Sequence, residues 1–279
     1  MFDADYPLTR SHIEFYREHG FVQLDDVVTG SELERMRAAV TGAVQEEIRE
    51  DKRAFSEKSS YEQVFIQRIN LWRRHAHLQE FILARRFANL AARLSGYSVR
   101  IFHDHALYKE PRKGGRTVWH QDTHYWPHQQ KGNQLSLWLA LTDATPRSGC
   151  LSFIPGTQKL SDIPAVDLSA TRELKEIAPQ LLGKKAVCVP LRAGSCTFHN
   201  GLTFHYASPN RSASMREALA IIYMPDGTTY SKTPHVLEYP GVEAGDPLDD
   251  ERFPVVSDVC GLETLPVCHG ASGRMLAPC

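Results

Sequence analysis

Two short segments carry residue types that could do metal chemistry. In TVWHQDTHYWP, His120 and Asp122 stand two apart at the end of a strand-like run, so the two-residue period of a strand points an imidazole and a carboxylate to one face. A third ligand is available in FHNGLTFHYASPN as His205, because a barrel brings strands distant in sequence together. Two histidines and one carboxylate on one octahedral face, with the opposite face open to oxygen and a co-substrate, is the arrangement used for non-haem Fe(II). Alone, His-x-Asp is a common chance pattern, and a strand histidine is more often a core or surface residue than a ligand. Arg216 shifts that balance. It lies eleven residues past His205, just before EALAIIYM, where a strand, a turn and a returning strand would bring it back beside the metal. Its guanidinium offers a fixed, bidentate fork for a carboxylate, which a lysine would not reproduce. The combined pattern is what a 2-oxoglutarate-dependent iron oxygenase needs; the competing reading of Arg216 is a surface salt bridge.

These residues need a β scaffold, and the period of the sequence supplies one from Val99 onward. Short β-type runs separated by turn signals fall at 99–109, 117–122, 135–142, 150–154, 186–191, 195–199 and 217–224, which implies a sandwich or barrel. Before them the pattern is helical. A helix capped at Thr9 or Ser11 ends near Gly20, a short strand follows at Phe21, Val22 and Leu24, and a Ser31-x-x-Glu34 capping box opens a second helix running to about Glu50. A third helical pattern covers 71–94 and stops at Gly96. Residues 159–182 read as a polar insertion with a helix at 170–177, and ten Gly or Pro among the last forty residues predict irregular coil.

The chain has 279 residues, 42% hydrophobic and 23% charged, enough apolar material for a real core. Its formal net charge of −1 gives no field for nucleic acid or an anionic membrane, and its longest apolar run, 218–224, is far short of a bilayer span. No basic-then-apolar leader opens the sequence, so the expectation is a cytoplasmic protein with a small-molecule substrate. Six scattered cysteines without a C-x-x-C pair read as reduced, mostly buried thiols.

The chain resembles the phytanoyl-CoA dioxygenase family of Fe(II)/2-oxoglutarate oxygenases over most of its length, through His103-Asp104-His105, LYKEP, WHQDTHYWP, LSLWLALTDATPRSGCLSFIPGTQK, FHNGLTFHYASPN and Arg216. The resemblance implies iron ligands at His120, Asp122 and His205, and Arg216 on the distal carboxylate of 2-oxoglutarate. It also implies Trp138 and His105 in the co-substrate pocket. It further implies a double-stranded β-helix core, a cupin-like jelly roll, with helices backing one sheet. The expected organisation is one oxygenase domain over 1–279: a mainly helical layer at 1–96, the β-helix core at 97–225 and an irregular segment at 226–279. The expected reaction uses Fe(II), 2-oxoglutarate and O2 to hydroxylate, or otherwise oxidise, an unactivated C–H bond of a small organic substrate. Asp122 speaks against a halogenase, which leaves that ligand position vacant for chloride.

Neighbouring residues have competing readings. His199, with Arg211 at +12, could replace His205, but the family pattern favours the second histidine. His103 and His105 read as pocket-lining or strand-core residues, although an H-x-H could itself bind metal. Lys109, Arg112, Lys113 and Arg116, around Gly114-Gly115, read as a solvated basic loop, with contact to an acidic substrate such as a CoA phosphate the competing account. His124, Tyr125 and Trp126 are candidate substrate contacts, with core packing an equal account of Trp126; Asn210 reads as a turn residue. The rival functions are a non-catalytic cupin-like metal or small-molecule binding protein and a zinc hydrolase, neither of which requires a carboxylate clamp.

Overall fold

The computed structural model describes residues 2, 4–58, 62, 65–160, 163–166 and 173–258. Helix α1, Arg10–His19, starts at Thr9, whose side chain accepts from the His12 N–H, and ends at Gly20 in the left-handed region (φ 83°). Strand β1 is Phe21–Leu24. Helix α2, Gly30–Glu50, begins two residues before the expected box: Thr29 is the N-cap, without a side-chain capping bond.

The expected helix over 71–94 is broken. Two single-turn helices, Leu71–Arg74 and Gln79–Ile82, precede α3, Arg85–Ser95. The backbone leaves helix at His75 (ψ 90°) and again at Ala84. Asp104 accepts the N–H groups of Leu71 and Trp72, which fixes the start of the first turn, and Ala84 is extended (ψ 127°) so that the chain re-enters helix at Arg85. An apolar period reports which side faces the core, and it persists across such a break.

The remaining strands are β2 Ile66–Ile69, β3 Val99–Lys109, β4 Thr117–His120, β5 Leu135–Ala140, β6 Leu151–Phe153, β7 Val187–Val189, β8 Cys196–Asn200, β9 His205–Ala207, β10 Arg216–Pro225 and β11 Val255–Ser257. They form two antiparallel sheets. One runs β1-β8-β5-β10-β3-β11 with β2 also on β3, and the other runs β4-β9-β6-β7. Strands β2, β9 and β11 are not among the expected runs. Each is short, and β11 falls in the segment read as coil, where pairing with β3 makes a strand despite flanking Pro and Gly. In the polar insertion the described helix is Leu174–Ile177; residues 167–172 lie outside the described residues.

Alternation on the larger sheet sorts its side chains. Leu135, Leu137, Leu139, Leu219, Ile221 and Tyr223 join the helices in one buried cluster. Trp138, Ala140, Ala218, Ala220 and Ile222 point the other way, into a second cluster shared with Leu151 and Phe153 of the smaller sheet. Burying a leucine such as Leu137 or Leu219 contributes about 1.5–3 kcal/mol, so the strand register is held firmly. A one-residue slip would turn that face to the other side. The described cysteines, Cys150, Cys188 and Cys196, are buried, with Cys150 Sγ 3.3 Å from Cys188 Sγ, while Cys260, Cys268 and Cys279 lie outside the described residues.

Candidate active site

A cavity of about 530 Å³ lies between the inward faces of the two sheets, with His120, Asp122, His205, Arg216 and Trp138 in its wall. Strands β4 and β9 pair with His120 directly opposite His205, which puts their rings 4.1 Å apart. The expectation that strand alternation aligns Asp122 with His120 gives the right neighbours for a different reason: β4 ends at His120, and Asp122 opens a 3-10 turn, Asp122–Tyr125, that bends the carboxylate back. That turn is seated on Gly201, whose carbonyl accepts the Thr123 N–H; a Cβ on Gly201 would collide with Thr123 Oγ1 and the Trp126 ring.

Asp122 Oδ1 lies 3.2 Å from His120 Nε2 and 3.6 Å from His205 Nε2. One ligand atom from each of the three falls within 4.8 Å of the others, so the group could hold a metal ion. The other atoms of these side chains are committed. His120 Nδ1 donates to the Val118 carbonyl (2.8 Å) and His205 Nδ1 to that of Thr203 (2.9 Å), which leaves each Nε2 facing the cluster. Asp122 Oδ2 accepts from Ser136 Oγ (3.0 Å) and sits 3.2 Å from His199 Nε2, freeing Oδ1. Burial pushes the Asp122 carboxyl up, but the surrounding imidazoles of His205, His120 and His199 override burial and hold it well below the usual range. Burial first, then His120, holds the His205 imidazole well below its ordinary value. A charged oxygen beside an imidazole lone pair is a donor set that suits a divalent first-row metal.

Arg216 is the first residue of β10, on the other sheet from His205, so the connection crosses between sheets instead of returning within one. The side chain is 2% exposed, and its guanidinium donates to the Leu107 carbonyl (2.7 Å) and lies over the Trp138 ring at 5.2 Å. Lys109, read as part of a solvated loop, is instead fully buried on β3, directly opposite Arg216 in the ladder, and its ammonium donates to the carbonyls of Ala207 and Ser208. Burial, then the charge of Arg216, lowers its pKa well below the usual value. Of the other basic residues, Arg112 and Lys113 are exposed and Arg116 pairs with Glu173 at 2.8 Å.

His105, His124, Tyr125 and Trp126 all reach the cavity wall, as do His103 and His199. Arg211 is exposed, away from the cavity, and Asn210 ties its turn together through the carbonyls of Lys109 and Ser214. Sequence reasoning missed Ser136, Gln67 and His235, which also line the cavity. Ser136 could have been found as the inward neighbour of Trp138; nothing in the sequence brings Gln67 or His235 forward.

Two antiparallel sheets around a cluster of two imidazoles and one carboxylate define a β protein with an internal metal-ligating site. The phytanoyl-CoA dioxygenase (PhyH) family model matches residues 16–218, and the chain belongs to that family. Among solved structures it is similar to the non-heme alpha ketoglutarate dependent carbocyclase SnoK from nogalamycin biosynthesis, with a TM-score of 0.78 and 30% identity over 90% of this chain and 97% of that one. The epimerase SnoN, solved in complex with Fe3+, alpha ketoglutarate and nogalamycin RO, gives a TM-score of 0.73 and 26% identity over 88% of this chain and 98% of that one. The human peroxisomal phytanoyl-CoA dioxygenase is 22% identical over 227 residues, covering 76% of this chain and 67% of its own length.

Proposed function

We propose that this chain is a non-haem Fe(II)- and 2-oxoglutarate-dependent oxygenase that oxidises an unactivated C–H bond of a small organic substrate, by hydroxylation or a related outcome. The observation that carries the reading is the convergence of His120 Nε2, Asp122 Oδ1 and His205 Nε2 in one cavity with a buried arginine across it. Family membership and the likeness to the carbocyclase support it. The same likenesses favour a double-stranded β-helix core with helices on one sheet, a single catalytic domain, and a reaction outcome that hydroxylation alone does not exhaust.

Iron held by His120, Asp122 and His205 would supply the oxidation of 2-oxoglutarate by O2 to succinate and carbon dioxide, and with it the oxidant for the substrate. The chain's own residues do the placing. The Val118 and Thr203 carbonyls fix the ligand tautomers, and Ser136 and His199 orient the carboxylate so that one oxygen faces the metal. Arg216, backed by the Trp138 face, offers a bidentate fork to the distal carboxylate of the co-substrate. The apolar wall keeps water from the reacting centre, and position decides which hydrogen is taken.

The test is anaerobic loading with Fe(II), followed by 2-oxoglutarate and then oxygen. Succinate formed in the wild type and absent in Asp122→Ala supports the reading. Tight zinc binding with hydrolysis and no succinate would overturn it in favour of a hydrolase.

A further inference from the structure

Beyond the metal-ligating cluster the cavity continues to a wall built from different chemistry. Val99 and Ile101 of β3 face the helices, so strict alternation would send His103 the same way. The β3–β10 register shifts between Ile222 and Tyr223, where Ile222 pairs with His103 and Tyr223 with Ile101. The extra residue, Phe102, re-aims the rest of the strand, so that His103 and His105 face the cavity.

His103 is 1% exposed, and its Nδ1 has no hydrogen-bond partner. Its Nε2 lies 3.5 Å from His105 Nε2, and His105 Nδ1 lies 2.6 Å from Gln67 Nε2. With the Gln67 amide donating, His105 Nδ1 accepts and its Nε2 carries the proton toward His103 Nε2. The proton of His103 then sits on Nδ1, a buried donor with nothing to receive it. His235 stacks on His103 (centroids 5.5 Å apart, 28° between planes), and its Nδ1 accepts from the Leu237 N–H, so its own proton is on Nε2. Burial lowers the pKa of His103, His105 and His235, which keeps these donors uncharged.

Among the described residues lining the cavity, the only side chains with a fixed charge are Asp122 and Arg216, both engaged in the metal and co-substrate reading. An ionised substrate group inside would find no counter-charge left, and a bare hydrocarbon chain would leave the imidazole donors unsatisfied. Trp126 supplies a flat apolar face instead. We propose that His103 and His235 form a substrate-recognition wall that donates hydrogen bonds to the acceptor oxygens of an uncharged, oxygenated ring compound. This rests on the reading that the same cavity holds the metal and 2-oxoglutarate.

The experiment titrates the full chain, loaded anaerobically with Fe(II) and 2-oxoglutarate, with emodin 8-O-glucoside as the uncharged ring probe and stearoyl-coenzyme A as the ionic, hydrocarbon probe. Binding is followed by tryptophan fluorescence and calorimetry. The expected result is binding of the glucoside, weakened about tenfold in His103→Phe, or about 1.4 kcal/mol, and largely kept in His103→Gln, with 2-oxoglutarate affinity unchanged in both. If His103→Phe does not fold, His235→Leu, on a loop, is expected to weaken the glucoside in the same direction. Stearoyl-coenzyme A binding tighter than the glucoside, no glucoside binding, or wild-type glucoside affinity in the folded variants would overturn the proposal. Failure of the wild type to bind 2-oxoglutarate at all would instead tell against the oxygenase reading, so the two failures are distinguishable.

Discussion

Where His120, Asp122 and His205 meet, each ligand side chain spends its second polar atom on the protein: on Val118, on Thr203, and on Ser136 with His199. In the wall of the same cavity His103 keeps a buried nitrogen with no partner. The first arrangement is what preorganised chemistry demands, because a ligand that must reorient before it can bind loses affinity. The second is what recognition demands, since an unsatisfied buried donor rewards only a molecule that brings the matching acceptor.

The contrast can be broken most directly at the committed end. Asp122→Ala or His205→Ala should abolish Fe(II) binding by calorimetry, whereas His199→Ala should keep it; the opposite pattern would exchange the two histidines' roles. Next in size is Arg216→Ala. Removing one partner of a buried, charge-assisted pair costs about 3–5 kcal/mol, a loss in 2-oxoglutarate affinity of about a hundred- to several-thousand-fold, with iron affinity unaltered. Arg216→Lys should lose part of this, because the charge stays and the fork does not. Unchanged 2-oxoglutarate affinity in a folded, iron-loaded Arg216→Ala protein would remove the clamp. A smaller effect is expected from His199→Ala within the retained binding, since an orienting partner of a ligand typically contributes about ten- to a hundredfold in metal affinity.

The smallest effect compares two buried aspartates. Asp122 is held well below the usual range, while burial raises Asp104 to about 7 even though the N–H groups of Trp72 and Leu71 donate to it. A carboxyl whose folded pKa exceeds its unfolded value, about 3.9, contributes stability that is complete below the unfolded pKa and lost as pH rises through the folded one. The Asp104 contribution therefore declines as pH climbs from about 4 to about 8, against the rise that the buried histidines with lowered pKa give over the same range, so melting temperature should climb more steeply with pH in Asp104→Asn than in the wild type. Equal slopes in the two proteins would clear Asp104 of that role.

The residues of the committed end were legible in the sequence because their chemistry is compact: His-x-Asp, a later histidine and an arginine eleven beyond it survive any uncertainty about strand ends. The β runs were legible too, β3 to the residue, since Val99–Lys109 is long and bounded by turn signals. The features that were not legible are set by tertiary contacts. The helical turn that opens at Leu71 is anchored by Asp104, more than thirty residues away. The burial of Lys109 depends on carbonyls supplied by β9 and the turn after it, and a basic run in sequence gives no hint of which member turns inward. His103 reaches the cavity through one register shift, which no alternation rule would place at Phe102.

Lys109 also has a geometric consequence. One ammonium bridges the strand opposite Arg216 to the two carbonyls that follow His205, fastening the sheet that bears the arginine to the sheet that bears the histidine. On the proposed reading, the span between those sheets is the length into which a keto diacid must fit. The gauge that selects a five-carbon co-substrate over a four- or six-carbon one would then include a lysine that touches neither the metal nor the acid.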